Sequence, residues 1–496
     1  MSLLRKSLPS LMLLASLARA TAATDPAPMN VLFISIDDLR TEVGAFGSAR
    51  ALTPHIDRFA ARAVKFERTY CQYPLCNPSR ASLLTGRYPR TLELYGNRDW
   101  FQGWYPDMVS LPKHFKQQGY TTVRYGKIFH GDTIDDAAAW TIGGVPHNFT
   151  GPKPDNLVAT TAITEEEEAA RIARAIAGDV RQAPGSDRWE AVEDPAKLAA
   201  LGDTVNADKT VAFLKQWKSG DPLFFIGFGP VKPHSPLVAP KEFFDRYDLE
   251  SIELPVDFAP RPTVPAGFPA ASIRAINADL FIKRDASPEE AREMIRAYLA
   301  CVSYADWNVG RVLTALDEAG LRDSTIVILW SDHGYQLGEK GKWSKAGSLW
   351  EQGTRVPLAI YDPRAKGNGR ASPRVVELLD FYPTLTALCG LPVPEGLEGR
   401  NLAPLLEQPE GEWDHPAYTV WNERGRGITG VVVRTERWRY AEFFGPGAGA
   451  FLTDPVNDPH ELANLVNDQR YADVVEQLAP LARAHVAGKT EPTPER

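Results

Sequence analysis

The chain concentrates its chemically capable residues in a few short segments: Asp37-Asp38, Cys76-Asn-Pro-Ser-Arg80, Gly126-Lys-Ile-Phe-His130, Lys232-Pro-His234, Ser331-Asp-His-Gly334 and Lys345. Asp37, Asp38 and Asp332 form an oxygen-rich donor set of the kind that holds Ca²⁺ or Mg²⁺. His333 adds one nitrogen, and the group at position 76 completes the candidate metal set. Lys127 and Lys345 suit the balancing of charge on an anionic ester, and a divalent cation beside them does the same work. His130 and His234 can move protons near neutrality. Arg80 cannot usefully titrate, so it serves as a fixed clamp. Cys76 is the candidate nucleophile.

These residues need elements that bring them together. Asn30–Ile36 is a continuous apolar run ending at Asp37-Asp38, the pattern of a buried parallel strand whose C-terminal end carries carboxylates. Ligands of open α/β sheets collect at such ends. Further strands are expected at Thr121–Tyr125, Leu223–Phe228, Thr325–Trp330 and Pro357–Tyr361. Helical patterns fall between them at Pro54–Ala63, Leu111–Gln118, Val205–Trp217, Pro288–Ala319 and Leu378–Leu388. The alternation predicts an α/β layered domain with a mostly parallel central sheet. Glu165–Glu168 opens a charged helical segment with a solvated face, and the proline-dense stretch Leu254–Pro269 reads as an extended surface connection. Beyond Pro404 the pattern turns to short strands, Gly430–Thr435 and Trp438–Phe443, then a helix near Ala472–Ala484. The expected division is 24–403 for the catalytic domain and 404–496 for a smaller C-terminal α+β subdomain with a small antiparallel sheet.

Arg5 and Lys6, the apolar run Leu8–Leu17 and the small residues around Ala20–Ala23 read as a secretory signal peptide over residues 1–23, too short to span a bilayer. The mature protein is therefore expected to be exported, periplasmic or secreted, with no stable membrane anchor. A net charge of −8 and a pI near 5.7 argue against general nucleic-acid binding, so attraction for an anion must be local. Of the four cysteines, Cys71, Cys76, Cys301 and Cys389, the last two lie in apolar helical sequence and read as core residues; no disulfide is expected.

The block Cys76-Asn-Pro-Ser-Arg-Ala-Ser-Leu-Leu-Thr-Gly-Arg87 resembles the sulfatase signature, in which the cysteine is converted to Cα-formylglycine. With Asp37-Asp-Leu-Arg40, Gly126-Lys-x-Phe-His130, Lys232-Pro-His234, Tyr304-Ala-Asp306, Ser331-Asp-His-Gly334, Trp343-x-Lys345 and Thr354-Arg-Val-Pro357, the chain is similar to the iduronate-2-sulfatase-like branch. The resemblance implies an alkaline-phosphatase-like fold, Ca²⁺ as the usual metal and a formylglycine-generating enzyme as maturation partner. It also implies Arg80 and Lys127 holding the modified residue, with His130, His234 and Lys345 at the sulfate.

The chemistry so implied is hydrolysis of a sulfate ester on a sulfated sugar. A thiol cannot add to sulfur and be released, whereas a hydrated aldehyde offers one hydroxyl to attack and a second to collapse the intermediate. Sugar recognition falls to loops above the strand ends, where Arg98, Trp100, Trp104 and Trp343 are the candidates, and Arg98 suits a uronate carboxylate. Ala346-Gly-Ser follows Lys345 where the characterised branch member has a tyrosine, which separates the sugar question from the sulfatase one. The alternatives are a phosphodiester or phosphonate monoester hydrolase using the same groups, and a non-catalytic glycan-binding protein in which Cys76 stays a thiol.

Overall fold

The computed structural model describes residues 28–130, 136–144, 189–423 and 427–488. The leader 1–23 and the charged segment Glu165–Glu168 lie outside the described residues. Among the described residues, thirteen strands occur in three sheets. They are β1 (Asn30–Ile36), β2 (Val64–Tyr70), β3 (Thr121–Gly126), β4 (Trp189–Val192), β5 (Phe224–Gly229), β6 (Leu237–Pro240), β7 (Thr325–Ser331), β8 (Arg355–Tyr361), β9 (Ala371–Glu377), β10 (Ala417–Asn422), β11 (Ile428–Arg434), β12 (Arg439–Phe443) and β13 (Gly449–Thr453). The main sheet has the order β3-β5-β1-β7-β8-β2-β9, and only β8 runs antiparallel to its neighbours. The five strands expected before residue 404 all lie in it, at its centre and β3 edge, and the two expected beyond it fall in the C-terminal sheet. β4 and β6 pair as a short parallel ribbon.

β1 shows how the sheet is held. Val31 and Phe33 enter one hydrophobic cluster, with Trp330, Phe381 and the helix Cys76–Thr85, while Leu32, Ile34 and Ile36 enter another beneath the helix Pro288–Glu318. Both faces of the strand are covered, so its sequence is apolar throughout rather than alternating. Past the strand end the pattern changes: Ser35 and Asp37 meet Arg80 of the Cys76 helix, and the Asp38 carboxylate also reaches Cys76 while its carbonyl accepts from Tyr298 of the long helix.

β2 and β9 escaped the sequence reading. β2 alternates polar and apolar residues over a short span, and β9 contains Pro373, which is tolerated because β9 is an edge strand. Pro357 sits inside β8, where the β2–β8 register shifts between Phe66 and Thr69; a residue without an N–H cannot complete the ladder there. The proline-dense stretch 254–269 straps the 338–342 loop, pairing Phe258 with Glu339 and donating Thr263 N–H to the Lys340 carbonyl at 2.9 Å.

β10–β13 form an antiparallel sheet backed by the helix Ala472–Val486. It is fixed to the main sheet by buried charge: Glu351 accepts from Tyr70 Oη at 2.8 Å and Arg439 Nη2 at 2.6 Å, with Arg434 Nε at 3.3 Å. Glu461 meets Arg439 Nε at 3.2 Å from the other side. All four cysteines are free and buried. Among the described residues no helix is long and apolar enough to cross a membrane.

Candidate active site

Cys76 is the first residue of the helix Cys76–Thr85, which Gly86 closes in the left-handed conformation at φ 67°. The helix end sits over the C-terminal ends of β1 and β7 and is fully buried. Asn77 fastens a loop against it, donating to the Gly96 and Asp99 carbonyls at 2.7 and 2.6 Å. The Asp99 carboxylate in turn accepts the N–H groups of Tyr95 and Gly96.

Residues far apart in sequence meet at this point. Asp38 N–H donates to Asp332 Oδ1 at 3.2 Å, and Cys76 Sγ lies 3.8 Å from Asp38 Oδ1 and 3.3 Å from His333 Nε2. Asp38 has φ 60°, an uncommon conformation for a residue with a side chain. It is held there from both sides, because its carbonyl accepts Tyr298 Oη at 2.8 Å, and the same hydroxyl accepts Arg40 N–H at 3.1 Å.

Each carboxylate has an assigned cation. Lys127 Nζ is 2.6 Å from Asp37 Oδ2, and Lys345 Nζ is 2.7 Å from Asp38 Oδ2 with Asp279 Oδ2 at 3.5 Å. Arg80 bridges Asp332 Oδ2 at 2.9 Å and Asp37 Oδ1 at 3.0 Å, and spends Nη1 on Ser35 Oγ and the Lys127 and Ile128 carbonyls. It therefore clamps the carboxylates, and the expectation that Arg80 grips position 76 directly gives way to that geometry. His234 Nε2 reaches Asp38 Oδ2 at 4.0 Å, with Nδ1 2.6 Å from the Ser235 carbonyl. Its loop is pinned by Asp203, which accepts the Val231 and Lys232 N–H groups at 2.8 and 2.9 Å.

The electrostatics follow. Burial opposes the charge on Asp37, yet Lys127, with His234 and Arg80 behind it, holds it well below the usual carboxylate range. Burial also works against the Cys76 thiolate, but Lys127, Lys345 and His333 pull the thiol well below its ordinary value. Burial lowers His130, more than its hydrogen bond with Cys76 raises it. His234 moves the other way, because Asp38 outweighs burial.

A divalent cation fits the donor set. Asp38, Cys76, Asp332 and His333 offer ligand atoms all within 4.8 Å of one another, as do Asp37, Asp38, Cys76 and His234. His333 Nδ1 is 2.9 Å from the Gly334 carbonyl, which fixes the tautomer that presents Nε2 as a lone pair. Nε2 faces Asp38 Oδ1 at 3.4 Å and Asp332 Oδ2 at 3.5 Å, where either its own proton or a bound cation balances the carboxylates. Against burial, Asp332, the Cys76 sulfur and Asp38 push the His333 imidazole up to about 10, as expected of a pocket rich in negative charge.

The structure thus brings together Asp37, Asp38, Cys76, Arg80, Lys127, His130, His234, Asp332, His333 and Lys345. The aromatic expectations fare differently. Trp343 is wholly buried, its ring 4.8 Å from that of Phe281, so no face is open to a sugar and it is a core residue. Trp100 and Trp104 are half-buried in the loop beyond Asp99, and Arg98 is exposed on the turn held by Asn77 and Asp99. Sequence reasoning missed Ser35, Tyr298, Asp203 and Asp279. Ser35 left a signal, a polar residue inside an apolar strand; the others sit in ordinary helical or loop sequence.

The chain belongs to the sulfatase family: the family description Sulfatase matches residues 29–391, and N-sulphoglucosamine sulphohydrolase, C-terminal, matches residues 338–485. It is a sulfuric ester hydrolase, and within the family it resembles the iduronate 2-sulfatases. Human iduronate 2-sulfatase is 29% identical over 94% of this chain and 96% of its own. A sulfatase of Formosa agariphila is 32% identical over 91% of this chain and 86% of its own. Among solved structures, the phosphonate monoester hydrolase of Silicibacter pomeroyi shares the fold with a TM-score of 0.70 at 21% identity, covering 93% of this chain and 96% of that one.

Proposed function

We propose that this protein hydrolyses a sulfate ester on a sulfated carbohydrate, with iduronate-2-sulfatase-like specificity, after Cys76 is converted to formylglycine and Ca²⁺ is bound. The observation that carries the reading is the position of Cys76 between His333 Nε2 and Asp38 Oδ1, with Lys127 and Lys345 on the flanking aspartates. Asp37, Asp38, Asp332 and His333 would hold the cation, which neutralises sulfate oxygens and lowers the cost of attack on sulfur. Formylglycine supplies a hydrated aldehyde, and with it an attacking oxygen and a second hydroxyl.

The chain's own groups supply the rest. Lys127 and Lys345 oppose charge on the ester oxygens in a site that excludes water. His234, whose proton affinity Asp38 raises, donates to the departing sugar oxygen, and His130, whose proton affinity burial lowers, takes the proton from the hydroxyl at position 76. Arg80 keeps Asp37 and Asp332 in register throughout. The protein would reach the periplasm or the exterior through its leader, and a formylglycine-generating enzyme would act on it during maturation.

The test is the mass of the peptide containing Cys76, with rates on sulfate and phosphonate esters side by side. A peptide in which the CH2SH side chain has become an aldehyde, with sulfur replaced by oxygen and two hydrogens lost, is expected, together with calcium-dependent sulfate release and loss of turnover in Cys76→Ala. An unmodified thiol in an active preparation, or faster phosphonate cleavage, would overturn the reading.

A further inference from the structure

A second cavity lies beside the catalytic centre, between the segment Ala271–Ile276 and the C-terminal sheet, with a volume of about 380 Å³. Trp421, Arg274, Glu423, Phe443 and Gly347 are among its lining residues. Its wall is continuous with the catalytic machinery. Gly347 follows Lys345 by two residues, and the 271–276 segment runs on to Asp279, which meets Lys345 Nζ at 3.5 Å. That segment is tied down by Lys342 Nζ to the Ile276 carbonyl at 3.3 Å and by Trp343 N–H to Asn277 Oδ1 at 2.9 Å. From the other side, the Trp421 ring lies 5.0 Å from that of Tyr73, just before Cys76.

The cavity exists because the residues after Lys345 are small. Gly347 has φ +72°, and a Cβ there would come within 2.5 Å of Arg274 Cδ and 3.2 Å of the Trp421 ring. A side chain at this position would displace both. The polar groups are preset: Arg274 Nε is 3.0 Å from Glu423 Oε2, and Trp421 Nε1 donates to the same oxygen at 2.9 Å. The Arg274 guanidinium lies 5.7 Å from the Trp421 ring centre.

We infer that this cavity is a subsite for the pyranose next to the sulfated one, so that the enzyme reads an oligosaccharide rather than a single sugar. The apolar wall that includes Phe443 and Phe444 suits the C–H face of a pyranose, and a paired arginine and glutamate supply donors and acceptors to neighbouring hydroxyls. An isolated anion would find Arg274 already neutralised by Glu423. The inference rests on the carbohydrate reading above.

The test measures kcat and KM on 4-nitrophenyl sulfate and on sulfated mono-, di- and tetrasaccharides from heparin and from carrageenan. Arg274→Ala and the cavity-filling Thr429→Tyr are compared with the parent enzyme. For whichever series is hydrolysed, KM falls on going from mono- to disaccharide. Arg274→Ala, by the loss of one charged hydrogen bond, and Thr429→Tyr, by filling the cavity that Thr429 helps to line, each raise the disaccharide KM about tenfold and leave 4-nitrophenyl sulfate unchanged. Equal kinetics for mono- and disaccharide, or equal losses on the aryl ester, would overturn the subsite. Hydrolysis of the aryl ester with no saccharide turned over would instead overturn the carbohydrate reading, and the subsite with it.

Discussion

Tyr298→Phe is the sharpest probe of how the fold supports the chemistry. The hydroxyl is buried, touches no reacting atom and makes two hydrogen bonds, to the Asp38 carbonyl at 2.8 Å and from Arg40 N–H at 3.1 Å. Phenylalanine keeps the ring that stacks on Tyr335 at 6.0 Å, so no cavity opens. What is lost is support for Asp38 at φ 60°, a conformation that costs on the order of 1 kcal/mol or more away from its constraints. Leaving a buried carbonyl and a buried N–H unpaired costs about 1–3 kcal/mol each. If about 2 kcal/mol of that is relieved by Asp38 leaving its place, the competent geometry falls roughly thirtyfold at about 1.4 kcal/mol per decade. The assay is kcat on an aryl sulfate together with calcium affinity. Both should fall by one to two orders of magnitude, with a modest loss of stability. A variant that loses stability but keeps kcat and calcium affinity within about twofold would refute the positioning argument.

The pH profile should be bell-shaped and straddle the ordinary imidazole value of 6.5, because burial places His130 below it and Asp38 places His234 above it. Activity rises as His130 loses its proton and falls as His234 loses its own; a profile with both limbs on one side of 6.5 would contradict the assignment. Glu351→Leu strands Arg434 and Arg439 in the interior, at a cost of about 3–5 kcal/mol measured by denaturant unfolding. A loss under about 1 kcal/mol would mean that the charge cluster does not fasten the small sheet. Arg98→Ala should weaken hydrolysis of a sulfated uronate far more than that of a small aryl sulfate, since only the former has a carboxylate for a guanidinium to meet. Equal losses on both would remove Arg98 from recognition.

The parallel core was legible because its strands are buried on both faces and so read as unbroken apolar runs. β1 and β7 were located almost to the residue, and their polar ends at Asp37-Asp38 and Asp332-His333 marked where the sheet opens to a ligand. The edge was less readable. β9 carries a proline and β2 alternates, features that a short segment shares with loops. The candidate metal-ligand and proton-handling residues were readable for another reason: chemistry restricts such roles to a few side-chain types in short segments.

What the chain alone determined is therefore the inventory: which carboxylates, histidines and lysines, at which strand ends, around which cysteine. Tertiary structure decided which of them are partners. Nothing in sequence pairs Lys127 with Asp37, Lys345 with Asp38 and Arg80 with both Asp37 and Asp332, because those choices depend on how segments up to hundreds of residues apart converge beyond the end of β1, where Asp38 turns at φ 60°. Nothing local distinguishes Tyr298 from Tyr304 on the same long amphipathic helix until that helix crosses the strand end. Trp343 gives the same lesson in reverse. Its neighbours mark it as part of an active-site loop, but the fold turns the indole inward, because a large apolar ring gains more from the core than from water.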